Sequence, residues 1–463
     1  MPFPWPISAT VNSSDLAEWR GELQARMNRL RVLIDHASTE GLAAAAREGI
    51  TALRRKADAA VDPWQIAEVD EAEVCVVGRV LHLAFGGAQI APAVEGSVAR
   101  HPRQLVYGPD DDIYTPCGAV MRRHAAGPGT CDGYTLDENL EQMGRQAAAA
   151  LGGAGSTVLM MSSGMAAVRV PLLLMLARLR AAGQKLLIPE ESWLETLTLL
   201  RQCGPDVCRT VSAECAEELA HYAADPQVGA VLFEPITNSP VQRRFAPQRF
   251  WSALTVTRPL TVLVDAAQTP LLDVMTGSPP GVDVLVAHSL TKWAAGGSQR
   301  ATGGLLIVRA GQEVVADLLL ARAVQRAAPA RLEDAAWMNV DSTASLRSRL
   351  TRYQRNLGIL AEHLHHLPVE VRYQPGSAYL VLLDHPRTPG WARATASQVA
   401  RAAAHRRVPA GVQGTFGLSG PALSTMPSWR EAGLRLVPGS GPRSTVGQFA
   451  QVVRDVLTAP RRR

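Results

Sequence analysis

From residue 156 onward the hydrophobic pattern of the chain settles into a repeat. Short runs rich in Val, Leu and Ile recur at 156–163 (STVLMMSS), 185–191 (KLLIPEE), 206–212 (DVCRTVS), 228–235 (VGAVLFEP), 260–267 (LTVLVDAA), 282–289 (VDVLVAHS) and 302–308 (TGGLLIV). They are apolar continuously rather than at alternate positions, the pattern of strands covered on both faces. Helical stretches separate several of them, so the reading is a doubly wound α/β domain on a mostly parallel sheet. The first hundred residues read differently. Over 15–34, Leu16, Trp19, Leu23, Met27, Leu30 and Ile34 recur at helical spacing, and Asp15 with Glu18 forms a capping-box pair. A second, alanine-rich helical stretch covers 40–60 and breaks at VDPW.

Composition bounds the rest. At 463 residues, 49.6 kDa and 47% hydrophobic, the chain can bury a large core in two or three domains. The expected division is a helical N-terminal extension over 1–105, a large domain over 106–325 and a smaller α+β C-terminal domain over 326–463. A formal charge of +5 with scattered basic residues and 5% aromatics argues against nucleic acid and leaves anionic small molecules as partners. The start, MPFPWPISATVNSSDL, lacks the basic and apolar regions of a signal peptide, and the apolar run PLLLMLA (171–177) is far too short for a bilayer, so a cytoplasmic protein with no membrane association is expected. Six cysteines (Cys75, Cys117, Cys131, Cys203, Cys208 and Cys215) include no CxxC pair and no nearby histidine at ligand spacing, which reads as reduced structural thiols and no metal. Residues 107–132 (YGPDDDIYTPCGAVMRRHAAGPGTCD) read as a long loop able to border a site.

In a parallel α/β sheet, ligands bind beyond the carboxyl ends of the strands. The first run is followed there by SSGMAA, with Ser163, Gly164 and Met165 opening an apolar helix, an arrangement that offers amide N–H groups to a phosphate but would also serve as an ordinary helix cap. The second run is followed by Trp193, the fourth by Glu234 and Asn238, the fifth by Asp265, and the sixth by Ser289, Thr291 and Lys292. Each has a plain structural reading, Trp193 as packing and Lys292 as a solvated cation. Together they are what pyridoxal phosphate requires: an amine for the aldehyde, a carboxylate for the pyridine nitrogen, a flat ring to stack, and hydroxyls with a helix terminus for the phosphate.

At these residues the chain resembles a known family. SSGMAA, HSLTKW followed by glycines, VD at 264–265 and LRLVPG at 434–439 are similar to motifs of the Cys/Met-metabolism group of fold-type-I pyridoxal-phosphate enzymes, relatives of cystathionine γ-synthase and γ-lyase, over roughly residues 135 to 460. The resemblance implies that Gly164 and Met165 give amides to the phosphate, with Ser163 beside them and Ser289 and Thr291 giving hydroxyls. It implies Trp193 stacked on the ring, Asn238 on the ring hydroxyl, Asp265 on the ring nitrogen with Gln268 nearby, and Lys292 as the cofactor lysine and proton shuttle. Arg435, with Ser419, would bind the substrate; a bidentate clamp on a carboxylate suits arginine, though a strand-edge surface role is the plain alternative. A homodimer or tetramer is also implied.

Departures from the pattern bear on the substrate. The family's Tyr-x-Arg, which reaches the neighbouring subunit's phosphate, has no clean counterpart; an arginine pair, Arg122 and Arg123, sits in the loop over 107–132, and Tyr114 or Arg123 is the candidate substitute. Ala266 and Ala267 follow Asp265, and Gln268 is similar to class V aminotransferases and cysteine desulfurases. The expected activity is γ-replacement or γ-elimination, with carbon–carbon bond formation as a variant, on an amino acid with a γ-leaving group such as an O-acylated homoserine or S-adenosylmethionine. The setting expected is specialised metabolism, with a second, anionic substrate as a further partner. The alternatives are a β-lyase or aminotransferase on the same fold, and a non-catalytic protein that has kept the fold.

Overall fold

The computed structural model of the chain describes residues 156–269, 274–293, 303–325, 327, 343–384, 390–408, 410–412, 420–426 and 433–459, together with 17, 21, 50–55 and 57–59. The seven apolar runs are seven strands: β1 (Thr157–Met161), β2 (Lys185–Pro189), β3 (Cys208–Val211), β4 (Val228–Phe233), β5 (Leu260–Asp265), β6 (Val282–Ser289) and β7 (Gly304–Arg309). They form one sheet in the order β1-β7-β6-β5-β4-β2-β3. Pairing is parallel from β6 through β5, β4 and β2 to β3, and β7 runs antiparallel to both of its neighbours. The carboxyl ends of β1 to β6 therefore share one edge of the sheet, and β7 begins there.

Helices cover both faces, which is why the strands are apolar throughout. On one face lie α1 (Gly164–Ala182), α2 (Leu194–Cys203) and, after β7, α6 (Gln312–Val324); α1 contributes Ala167, Val170, Leu172 and Leu176 to a core shared with Leu186, Leu263, Leu285 and Leu306. Apolar residues occupy most of the circumference of α1, as expected of a helix held between the sheet and other helices. It ends at Gly183, whose φ of 66° is the left-handed conformation that closes a helix most readily without a Cβ. On the other face, α3 (Ala216–Ala223) and α4 (Pro247–Ala253) pack with Phe233, Phe245 and Phe250. Residues 50–55 and 57–59 are helical, and Ile50, Leu53 and Ala57 enter that core at the spacing of one helix face. The expected helix over 15–34 lies outside the described residues except for Ala17 and Gly21, both helical, and the loop over 107–132 with Tyr114, Arg122 and Arg123 lies outside them.

The second sheet follows α7 (Thr343–Leu364). Its strands are β8 (Glu370–Arg372), β9 (Leu380–Leu383), β10 (Gly411–Val412), β11 (Ala422–Met426) and β12 (Gly433–Val437), ordered β10-β11-β12-β9-β8 and antiparallel except for β10 with β11. α7 packs there with α8 (Trp391–His405) and α9 (Arg443–Thr458) over Leu357, Leu360, Val399 and Phe449. From α7, Asn356 Nδ2 donates to the carbonyls of Gly439 and Gly441 at 3.0 and 2.8 Å, and Arg352 Nε donates to the Ser440 carbonyl at 3.1 Å. Both side chains are buried, and they fix the turn that follows the strand carrying Arg435. Among the described residues no helix is long and apolar enough to cross a membrane, no group of His, Cys, Asp and Glu could hold a metal, and Cys203, Cys208 and Cys215 are free thiols.

Candidate active site

At the shared strand edge β1 hands over to α1 through Ser162 and Ser163. The Ser163 hydroxyl accepts from the Ala166 amide at 3.0 Å and its carbonyl accepts from the Ala167 amide at 3.1 Å, so the side chain of Ser163 serves the helix as its cap. Gly164 and Met165 come first in the helix, where an amide has no acceptor within it. Their N–H groups and the positive end of a 19-residue helix thus point out of the edge. Two glycines make this possible: a Cβ on Gly164 would stand 2.7 Å from the Ser289 Cβ, and one on Gly304 would stand 2.1 Å from the Ser163 carbonyl oxygen. Gly304 pairs with both Met161 and Ser289, which brings the ends of β1 and β6 together across the start of β7.

Strand alternation selects what faces this helix. Asp265 pairs with Ala287, which packs on the α1 side, and Ser289 lies two residues further on the same face. His288 points to the other face, where burial pulls its imidazole down to about 4 and leaves it neutral. Beyond Ser289 the chain enters α5 (Leu290–Trp293) with Lys292 in its single turn. Lys292 keeps part of its side chain accessible, yet the surrounding protein lowers its amine to about 8, burial being the main cause and the Arg435 charge adding to it; Asp265, Glu195 and Glu234 act in the opposite direction. The side chain of Thr291 lies outside the described residues.

Two buried carboxylates complete the centre. Asp265 accepts the Ala267 amide at 2.9 Å; burial raises its pKa, against that amide and the Lys292 charge. Glu234 accepts the Trp193 amide on one oxygen at 2.5 Å and the Asn238 amide on the other at 2.7 Å. Burial and the neighbouring Asp265 push it up to about 8, against both amides and Lys292. One carboxylate thereby holds the loops after β2 and β4 in fixed relation. Arg243 braces the same two loops, meeting both oxygens of Glu191 at 2.7 Å. Trp193 is half-buried at the start of α2.

The second sheet supplies the far wall. Arg435, on β12, is buried, and its Nε donates to the Ser424 hydroxyl at 2.9 Å. Its guanidinium lies 5.1 Å from the ring centroid of Tyr379, just before β9. Tyr379 is fully buried, and its hydroxyl donates to Asn238 Oδ1 at 2.6 Å. Gln242, with a φ of 53° and no exposure, donates to the Tyr379 carbonyl at 2.8 Å and accepts from the Gln374 amide at 3.2 Å. Gln268 donates to the Ser377 hydroxyl at 3.0 Å, which ties its amide nitrogen into this junction.

The structure thus gathers Gly164, Met165, Trp193, Asn238, Asp265, Ser289, Lys292 and Arg435 around one edge, and the placement of Ser419 lies outside the described residues. Sequence reasoning missed Tyr379 and Gln242, which no motif marks, and noted Glu234 without its two amide partners. Pyridoxal phosphate fits these groups. The Gly164 and Met165 amides, with no acceptor within the helix, suit a phosphate, and the amine at about 8 is available to an aldehyde near neutral pH. Gln268 Oε1 and Thr269 Oγ1, both buried at this edge, have no hydrogen-bond partner among the described residues.

A family model described as Cys/Met metabolism PLP-dependent enzyme matches residues 136–388. The chain is similar in fold to cystathionine gamma synthase from Xanthomonas oryzae pv. oryzae. In its complex with cystathionine the TM-score is 0.53 at 18% identity, over 72% of this chain and 90% of that one. In its complex with aminoacrylate and cysteine the same score and identity extend over 78% and 99%. It is likewise similar to metB from Corynebacterium glutamicum, with a TM-score of 0.53 at 16% identity over 77% and 98%. No curated protein sequence matches the chain.

Proposed function

The chain belongs to the Cys/Met-metabolism family of pyridoxal-phosphate-dependent enzymes, and from that premise we propose that it eliminates or replaces the γ-substituent of an amino acid, such as an O-acylated homoserine or S-adenosylmethionine. The observation that carries the reading is one amine, lowered to about 8, placed among Asp265, Glu234 and Arg435 at the edge where α1 begins. Bound there, the cofactor supplies an electron sink for the pair left when a proton leaves Cα.

The residues divide that work by chemistry. The Gly164 and Met165 amides would hold the phosphate, with the Ser289 hydroxyl beside them and Thr291 two residues on. Asp265 would keep a proton on the ring nitrogen, and the Trp193 indole would stack on the ring. Arg435 takes the substrate carboxylate, its guanidinium set by Ser424 and Tyr379. Lys292, the amine that would carry the cofactor's aldehyde, would accept the Cα proton in its neutral form and then serve the adjacent carbon. γ-Chemistry needs proton transfers at neighbouring carbons, and one flexible amine reaches both.

Relatives in fold include a cystathionine gamma synthase solved with cystathionine, an amino acid that carries a sulfur substituent at Cγ, which supports a γ-substituted substrate. The test is direct. Purified protein with cofactor is offered O-acetylhomoserine, O-succinylhomoserine and S-adenosylmethionine, and the released acid or thioether is quantified. Release that requires Lys292 supports the proposal. Conversion of the cofactor to its amine form by amino donors, with no γ-release, would favour the transaminase reading, and a cofactor-loaded protein inert to every amino acid would favour the non-catalytic one.

A further inference from the structure

Among the described residues the side chain of Asn238 has one partner. Its Oδ1 accepts from the Tyr379 hydroxyl at 2.6 Å, its backbone amide goes to Glu234, and its Nδ2 has no partner among the described residues. An asparagine oxygen and nitrogen are distinguished by their bonding, so the surroundings of Tyr379 decide which atom faces which way. The Arg435 guanidinium lies against the Tyr379 ring, 5.1 Å from its centroid, and has only protons to offer. Burial raises the pKa of the phenol and keeps it protonated. A protonated phenol beside a guanidinium has a proton to give, and it gives it to Asn238 Oδ1 at 2.6 Å.

We propose that Tyr379, on the second sheet, is a positioning residue that locks the Asn238 amide with its nitrogen turned toward the cofactor's ring hydroxyl. The inference rests on the reading of Asn238 as the ring-hydroxyl partner. With Oδ1 occupied, Nδ2 is the atom left to face the ring, and as a donor it favours the ionised ring oxygen. Released from the phenol, the amide is free to turn and present an acceptor instead. The ring of Tyr379 also lies against Arg435, so the residue that sets the cofactor contact is the one that packs beneath the substrate's carboxylate clamp.

The test compares wild type, Tyr379→Phe, Asn238→Ala, the double variant and Asn238→Asp, each loaded with pyridoxal phosphate. The readouts are cofactor affinity by equilibrium dialysis and the pH midpoint of the visible band of the bound cofactor. Tyr379→Phe keeps the ring and its contact with Arg435 and removes only the hydroxyl. It is expected to raise the midpoint by about one pH unit and weaken cofactor binding roughly tenfold. Asn238→Ala should do the same, and the double variant should be no worse than Asn238→Ala alone. Asn238→Asp leaves an acceptor for the phenol and puts a carboxylate beside the ring, so its raised midpoint checks that residue 238 faces the ring hydroxyl, and Tyr379→Phe with the double variant checks the orientation. A wild-type midpoint in Tyr379→Phe beside a shifted Asn238→Ala would overturn the role of Tyr379 alone, as would effects that simply add in the double variant. Wild-type behaviour in both Asn238 variants would overturn the ring-hydroxyl reading itself.

Discussion

Gly164 and Ser289 approach so closely that a Cβ on the glycine would stand 2.7 Å from the serine Cβ and 2.8 Å from its hydroxyl. The first turn of α1 is thereby pressed against the end of β6, which sets a helix N-terminus beside a strand-end hydroxyl, the pair proposed to hold the phosphate. Gly164→Ala should force the two apart and weaken cofactor binding at least about tenfold, a loss of some 1.4 kcal/mol. Gly358→Ala, in α7 where an added Cβ meets nothing within 4 Å, should leave the affinity unchanged and stabilise the fold by about 0.5–1 kcal/mol. Equilibrium dialysis and thermal unfolding of both variants check this pair.

Lys292 sets a pH dependence of definite sign. Its amine attacks an aldehyde only when neutral, so the rate of cofactor capture should rise with pH through about 8 and then level. Asp265 holds that value up, and Asp265→Asn should move the midpoint to lower pH. Because the folded value lies below the ordinary 10.5, the cofactor-free protein carries the whole cost of a buried ammonium below pH 8 and is relieved of it as pH rises toward 10.5. Lys292→Met should remove that rise in stability, which denaturant titrations at several pH values measure.

Glu234 uses each oxygen on a separate amide, so Glu234→Gln cannot replace it. A glutamine would offer one acceptor and set an NH2 against the other N–H. The substitution should cost about 1–3 kcal/mol and loosen the Trp193 loop, seen as lower stability to urea and weaker quenching of tryptophan fluorescence by bound cofactor.

Arg435→Lys should raise the substrate KM by roughly 10- to 100-fold, since an ammonium cannot clamp a carboxylate through two parallel hydrogen bonds. Cofactor affinity should hold, because the proposed role of Arg435 is on the substrate and not on the cofactor. Steady-state kinetics beside cofactor titration separate the two effects.

The large sheet was legible in the sequence because burial on both faces makes each strand a continuous apolar run, and every expected run is a strand. The turn from β6 into β7 was legible only in part: strand periodicity says nothing of direction, and β7 runs against its neighbours. Residues adjacent to motifs, such as Asp265 and Lys292, could be picked out from their place after a strand. Tyr379 could not, because its partner Asn238 lies 141 positions away and no local pattern records that meeting. One signal went unused: among 47 basic residues only Lys56, Lys185 and Lys292 are lysines, so a lysine at the strand edge stands out against an arginine-rich background.

That scarcity makes the central claim easy to test. Hydride reduction of the cofactor-loaded protein fixes the cofactor to whichever amine holds its aldehyde, and peptide mass spectrometry then locates it. The account predicts a single adduct on Lys292, together with a visible absorption band that is absent from Lys292→Ala. Adduct on Lys56 or Lys185, or a protein that binds no cofactor at all, would contradict it.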